Sequence, residues 1–305
     1  MKVLITGMEG FIGSNLARYL EKKNYDVFGI DNGFLGKNSN LPPSLQDNVL
    51  HVDISQMDEL YYFKSKKFDY IINLAAHSSA PMFFDDDFES FNTNTQGFRN
   101  ILELARKMKA KVIFASTSSL YSRLNTFTED AAVMPASYYE YSKFCNEIDA
   151  SLYFHECGVP SIGLRFFSVY GPNERSKGKF ANLVSQFMWD LQEGNQPIVY
   201  GKGEATRDFT YVDDVSRVIE LLMCKSWSHT ILNVGTGVSY SINQMIQILN
   251  EELGTDISPK YVQNPIKAYV QDTKADTTKL KWYLGYVPDT TLRDGIRKLI
   301  TKKFI

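Results

Sequence analysis

The sequence predicts an α/β fold: a doubly wound parallel sheet with a smaller, discontinuous C-terminal substrate-binding lobe. Three observations carry this. Short apolar runs rich in Val, Ile and Phe alternate with amphipathic stretches through the first half of the chain. The runs lack a polar face, as strands covered on both sides of a sheet must. Between the first run and the first amphipathic stretch stand Gly7, Gly10 and Gly13, spaced by three.

In chain order, "KVLIT" (2–6), "DVFGI" (26–30), "VLHVD" (49–53), "YIINLA" (70–75), "KVIFAS" (111–116) and "SIGLRFF" (161–167) read as strands. Helical patterns occupy 12–23, roughly 88–108 and roughly 138–157. Such alternation winds helices onto both faces of a parallel sheet, the Rossmann-type arrangement. After residue 168 the pattern loosens. "GPNERSKGK" (171–179) reads as a loop, 180–194 and 241–254 as helices, and "PIVYG" (197–201) as a short strand. Stretches 206–223 and 230–237 look regular enough to rejoin the first unit. The expected division is therefore 1–168 with 206–236 for the nucleotide-binding unit, and 169–205 with 237–305 for the second lobe.

Composition narrows the class. The 305 residues are 44% hydrophobic and 22% charged, ordinary for a globular enzyme. With 33 Lys and Arg against 35 Asp and Glu, the net charge of −2 offers no field for a nucleic-acid backbone or an anionic membrane. No apolar stretch nears the ~18 residues of a membrane span. "MKVLITG" enters a strand directly, without signal-peptide anatomy. Cys145, Cys157 and Cys224 are odd in number and lack Cys-x-x-Cys spacing, which suits a reducing cytoplasm. The four histidines are scattered, so no metal site is expected.

The glycines answer to a physical need. A strand ends at Thr6 and a helix begins near Phe11, so the turn is tight. Gly7 and Gly10 let a ligand approach the backbone, and Gly13 lets the helix lie close. Free N–H groups at the helix start attract a pyrophosphate. Asp31, 18 residues after Gly13, stands where a carboxylate binds ribose hydroxyls and repels a 2′-phosphate. NAD is therefore expected over NADP. The plain alternative is a glycine turn with a surface aspartate.

"PASYYEYSKFCNE" (135–147) holds a second pattern. Ser137 and Glu140 have capping-box spacing. Tyr139 and Lys143 then lie one turn apart on one helix face. A phenol has a pKa near 10, and a neighbouring ammonium favours its phenolate. A tyrosine beside a solvated lysine is the plain alternative.

Together these motifs resemble the extended short-chain dehydrogenase/reductase superfamily, and within it the NAD-dependent nucleotide-sugar epimerase/dehydratase family. The likeness spans essentially the whole chain. "TGMEGFIGS" is similar to that family's glycine loop, placing Gly7, Gly10, Phe11, Ile12 and Gly13 at the cofactor. Asp31 and Asn32 resemble its ribose-binding pair, and Asp53 and Ile54 its adenine contact. "NLAA" implies cofactor contacts at Leu74, Ala75 and Ala76; "NTQGFRN" implies one at Asn94. "ASTSSLY" places Ser116 at the cofactor and Thr117 at the catalytic Ser/Thr, and "RFFSVYGP" places Phe166 beside the nicotinamide. "FANL", "PIVYG" and "TRDFTYVDDV" look like the nucleotide-diphosphate site, implying Asn182, Leu183, Tyr200 and Arg207. Arg207 alternatively pairs with Asp208 or Asp213.

The resemblance implies that Tyr139 takes the proton of a sugar 4-hydroxyl, that Lys143 tunes Tyr139 and binds cofactor with it, that Thr117 relays, and that NAD takes the hydride. Family dehydratases carry an Asp-Glu pair after the catalytic Thr, and decarboxylases commonly a Glu at the second position. Here those positions are Ser118 and Ser119. A 4-epimerase of a UDP-hexose or UDP-hexuronate is therefore expected, with a dehydratase or decarboxylase as alternative and a non-catalytic dinucleotide sensor or scaffold as a second. Ser118, Ser119 and Ser168 are candidate contacts to a sugar carboxylate, and Arg175 another unless it is a solvated loop charge. The Arg-x-Gly-Asp stretch of many UDP-sugar epimerases is missing near the C-terminus, where Lys267 stands in as candidate. The family also implies a homodimer.

Overall fold

The computed structural model describes residues 1–84, 86–264 and 270–301. In chain order the elements are β1 (Lys2–Thr6), α1 (Phe11–Lys22), β2 (Asp26–Asp31), α2 (Pro43–Gln46), β3 (Val49–His51), α3 (Met57–Leu60), β4 (Tyr70–Asn73), α4 (Asp87–Met108), β5 (Lys111–Thr117), α5 (Tyr138–Cys157) and β6 (Ser161–Phe166). There follow β7 (Val169–Tyr170), α6 (Leu183–Gln192), β8 (Ile198–Tyr200), β9 (Thr206–Arg207), β10 (Thr210–Tyr211), α7 (Val212–Met223), β11 (His229–Val234), β12 (Tyr240–Ser241), α8 (Ile242–Leu253), β13 (Lys260–Val262), α9 (Thr278–Leu284) and α10 (Leu292–Thr301).

Seven parallel strands form one sheet in the order β11-β6-β5-β4-β1-β2-β3. Winding reverses between β1 and β4, and a crevice opens beyond their C-terminal ends. Alternation within each strand sorts its side chains between two cores. Val3, Ile5, Ile72 and Ile113 meet α1 and α7 on one face. Leu4, Ile71, Val112 and Phe114 meet Phe98, Ile101 and Leu102 of α4 on the other.

A third core gathers α6, α8 and α10 around Tyr170, Phe209 and Tyr211. Its strands pair in short ladders: β7 with β10, β8 with β13, and β9 with β12. The stretch 278–284, grouped by sequence with the second lobe, packs elsewhere: Leu280 and Leu284 of α9 belong to the first core. The expected loop at 171–179 contains a 3-10 turn over Arg175–Phe180, kinked at Gly178 with φ 49°.

The start of α5 modifies the expected capping box. Ser137 Oγ accepts from Glu140 N at 3.2 Å, but the Glu140 carboxylate reaches back to Ala136 N at 2.6 Å and to Ser122. The first turn is pinned one residue further upstream than the motif implies, with Tyr139 in its second position.

Candidate active site

A cavity of about 560 Å³ opens at the crevice and runs from the glycine loop to α6, a size typical of small-molecule sites. Gly7 has φ +68°, and a Cβ there would sit 2.8 Å from Ala75 N. A Cβ on Gly13 would lie 2.0 Å from the Gly7 carbonyl oxygen. Gly10 caps α1 without a side chain, and no acidic residue lies in the first turn. The N–H groups there thus meet the cavity without a competing carboxylate.

Asp31, at the end of β2, is held by Glu9 N at 3.0 Å and Gly33 N at 2.9 Å. Burial pushes its carboxyl above the usual range despite those bonds. Asn32 donates to Asp53 at 3.2 Å. Burial pulls Asp53 up, but bonds from Ser55 and Asn32 outweigh it and hold this carboxyl below its ordinary value. Ile54, Leu74, Ala75, Ala76, Ser116 and Phe166 also line the cavity. Asn94 does not. Its amide accepts from His77 N at 2.8 Å and donates to His77 O and Ser142 Oγ, bracing the 74–77 segment against α4 and α5. Thr93 faces the cavity instead.

Tyr139, Lys143 and Thr117 converge on the same cavity. Burial drives the Tyr139 phenol up to about 12, with the Thr117 hydroxyl pulling the other way. Burial drives the Lys143 ammonium down to about 8. Lys143 Nζ donates to the Ala115 carbonyl at 3.2 Å. In the protein alone desolvation dominates both groups, and the phenol is raised. Tyr138 and Tyr141 face outward against Phe91.

Beneath this face lies a buried network. Ser116 Oγ donates to Glu147 at 2.6 Å, and Arg165 grips the same carboxylate at 2.7 and 2.9 Å. Arg165 also donates to the Tyr121 hydroxyl at 2.8 Å. The network fixes α5 against the ends of β5 and β6.

At the far end Ser118, Ser119, Ser168, Asn182, Leu183 and Arg207 line the cavity. Asn182 caps α6 by accepting from Val184 N at 3.0 Å. Arg207 donates to the carbonyls of Thr206, Val270 and Gln271 at 2.7, 2.6 and 3.1 Å. Asp208 instead receives the N–H groups of Thr236, Gly237 and Ala275. Two expected contacts fall outside. The Arg175 guanidinium lies over the Trp189 ring at 4.3 Å and 3.8 Å from Glu193, because α6 offers it an aromatic face and a carboxylate. Tyr200 is exposed on β8, away from the cavity. Lys267 lies outside the described residues.

Sequence reasoning missed several lining residues. Ser78 to Met82 close one wall, Phe34 stacks on His77 at 4.7 Å, and Lys177 and Glu174 enter from the 3-10 turn. Gly178 after Lys177 was the available signal, since a left-handed kink redirects a loop.

A profile of the NAD dependent epimerase/dehydratase family matches residues 3–235. The chain belongs to this family. It is 32% identical to a putative UDP-glucose 4-epimerase of Methanocaldococcus jannaschii, over 98% of this chain and 97% of that one. It is 32% identical to a UDP-N-acetyl-alpha-D-glucosaminuronate decarboxylase of Bacillus cytotoxicus, over 98% and 96%. The structure of a UDP-glucose 4-epimerase of Thermotoga maritima with UDP-glucose superposes with a TM-score of 0.93 at 31% identity, covering 98% and 97%. This epimerase/dehydratase-family cavity fits the family's NAD. Gly7, Gly10 and Gly13 line the cavity and pack too closely on backbone to carry a Cβ, which brings the uncapped start of α1 up to it, and the Asp31 carboxylate is held at the cavity wall. Among the described residues no cluster of metal-ligating side chains forms.

Proposed function

We propose that the protein is an NAD-dependent 4-epimerase of a nucleotide-activated sugar, a UDP-hexose or UDP-hexuronate, working through a transient 4-keto sugar. One observation carries the choice within the family. Ser118 and Ser119 follow Thr117, and the three carboxylates lining the cavity are already engaged. Asp31 and Asp53 hold backbone N–H groups, and Glu174 accepts from Asn182 N and Ser185 Oγ. Eliminating water needs an acid and a base with pKa values near the working pH. Neutral serine hydroxyls supply neither, but they can hold a sugar through its rotation.

In this reading Phe11 and Ile12 present N–H groups to the cofactor diphosphate, Gly10 N being bonded to the Gly7 carbonyl at 3.1 Å and shaping the turn, and Asp31 takes the ribose. Tyr139 accepts the proton of the sugar 4-hydroxyl, Thr117 orients that oxygen, and Lys143 stabilises the phenolate. When bound, NAD supplies the hydride acceptor and donor and a positive ring charge. Asn182 and Arg207 hold the nucleotide diphosphate, Arg207 being fixed by its carbonyl bonds. Tyr139, Lys143 and Thr117 in one cavity favour turnover over a sensing role.

We also propose a cytoplasmic homodimer. Phe88 on α4 and Tyr141, Ile148 and Leu152 on α5 are exposed large apolar side chains on two helices that pack together. Among the described residues no helix is long and apolar enough to cross a membrane. Light scattering tests the oligomer.

The test of activity is incubation with UDP-, GDP- and dTDP-sugars, with products read by NMR and mass spectrometry. An isomer of unchanged mass, inverted at C4, without added oxidant, is expected. Loss of water or carbon dioxide overturns the reading.

A further inference from the structure

Lys177 is a cation in the cavity that neither the catalytic group nor the nucleotide-sugar contacts above account for. It sits on the 3-10 turn of the second lobe and lines the same cavity as the glycine loop. Its Nζ is 5.6 Å from the ring centroid of Phe11, the first residue of α1. Among the described residues its ammonium makes no hydrogen bond, and burial lowers its pKa while Glu174 opposes that. Glu174 attracts it through space, while the carboxylate's hydrogen bonds go to Asn182 N and Ser185 Oγ and leave the ammonium's donors unmade.

The turn is stapled to the first unit. Asn15 Nδ2 donates to Pro172 O at 2.9 Å, and Asn173 Nδ2 to Ser14 Oγ at 3.0 Å and Asn40 O at 3.2 Å. Both staples grip the first turns of α1, so Lys177 is set at a fixed place beside the uncapped end of that helix. A half-desolvated ammonium next to bare N–H donors lacks only the anion that both would bind.

We propose that Lys177 is a diphosphate-binding residue that reaches across from the second lobe to the α1 end of the cavity. The proposal rests on the cavity's being a dinucleotide and sugar-nucleotide site. It couples ligand retention to the seam between the two units: loosening the Asn15 and Asn173 staples withdraws the charge.

The test compares Lys177→Met and Lys177→Arg with the parent. NAD content of the purified protein and NAD affinity by calorimetry form one arm, and KM for the turned-over UDP-sugar the other. Lys177→Met should lose about tenfold or more in one of these, and Lys177→Arg should keep most of it. Loss of NAD assigns the cofactor diphosphate; a raised KM with normal NAD content assigns that of the sugar nucleotide. Circular dichroism and the unfolding midpoint confirm that the variants fold. Unchanged NAD affinity and KM overturn the proposal, as does a fall in kcat alone. The NAD arm stays readable even on protein that turns over no sugar tested, so failure here is separable from failure of the epimerase reading.

Discussion

Replacing Lys143 by methionine should make the nucleotide-free protein more stable while destroying its activity. Lys143 is 3% exposed, and burial takes its pKa from 10.5 to about 8. Below pH 8 the ammonium is charged in both folded and unfolded chains, and the folded one bears the whole desolvation cost. Between pH 8 and 10.5 the folded chain gives up its proton and the unfolded one keeps it, so stability rises with pH; above 10.5 the cost has vanished. The shift corresponds to about 3 kcal/mol at neutral pH. Methionine is an apolar side chain of similar length but forfeits the bond to the Ala115 carbonyl, worth about 1 kcal/mol. A net gain of about 2 kcal/mol remains. Urea unfolding at pH 7 should show a higher midpoint with unchanged slope, and the gap to the parent should close as pH approaches 10.5. A variant no more stable at pH 7, or a gap that persists unchanged in alkali, refutes the reasoning.

Four further outcomes are expected. Tyr139→Phe should lower turnover by about 10² or more with NAD content unchanged, whereas Tyr141→Phe, altered on an outward face, should retain full rate. Gly13→Ala forces a Cβ to 2.0 Å from the Gly7 carbonyl oxygen and should cost about 1–3 kcal/mol together with NAD retention, read by melting and by nucleotide content. Glu147→Ala strands the buried Arg165 charge and should cost about 3–5 kcal/mol, while adding Arg165→Met should recover part of that loss in denaturant titrations. Arg207→Ala should raise KM for the sugar nucleotide about tenfold or more and leave NAD affinity alone.

The sheet was legible because its inner strands are buried on both faces, so β1, β4, β5 and β6 announce themselves as apolar runs, whereas β3 at the edge is only half-buried. β7, β9, β10 and β12 are two residues long, too short for any period, and their pairing is a tertiary result. At the site, the glycine loop and the Tyr139–Lys143 spacing were legible because backbone sterics and helix geometry act locally. Asn94 acts from behind the cavity wall: the helix phase turns Thr93 toward the cavity and Asn94 toward His77 and Ser142. Arg175 and Lys177 show a different limit. They share one turn, and only the tertiary partner decides which cation faces inward. Trp189 of α6 and Glu193 just past its end capture Arg175, and Lys177 is left to the cavity. The phenol's raised pKa was hidden for the same reason, since a sequence shows a neighbouring charge but not the burial that outweighs it.

The placement of β11 at the rim of the sheet matters while the chain is being made. β6 emerges from the ribosome with its outer hydrogen-bonding edge bare, and its partner is residues 229–234. At ~5–20 residues per second the interval is about 3–14 seconds. During that time a nearly complete nucleotide-binding unit exposes an open, largely apolar edge, the template on which nascent chains pair with one another. Chains cut short before His229 should therefore precipitate rather than persist as half-sized binders, and a chaperone acting on this protein has its work concentrated in that interval.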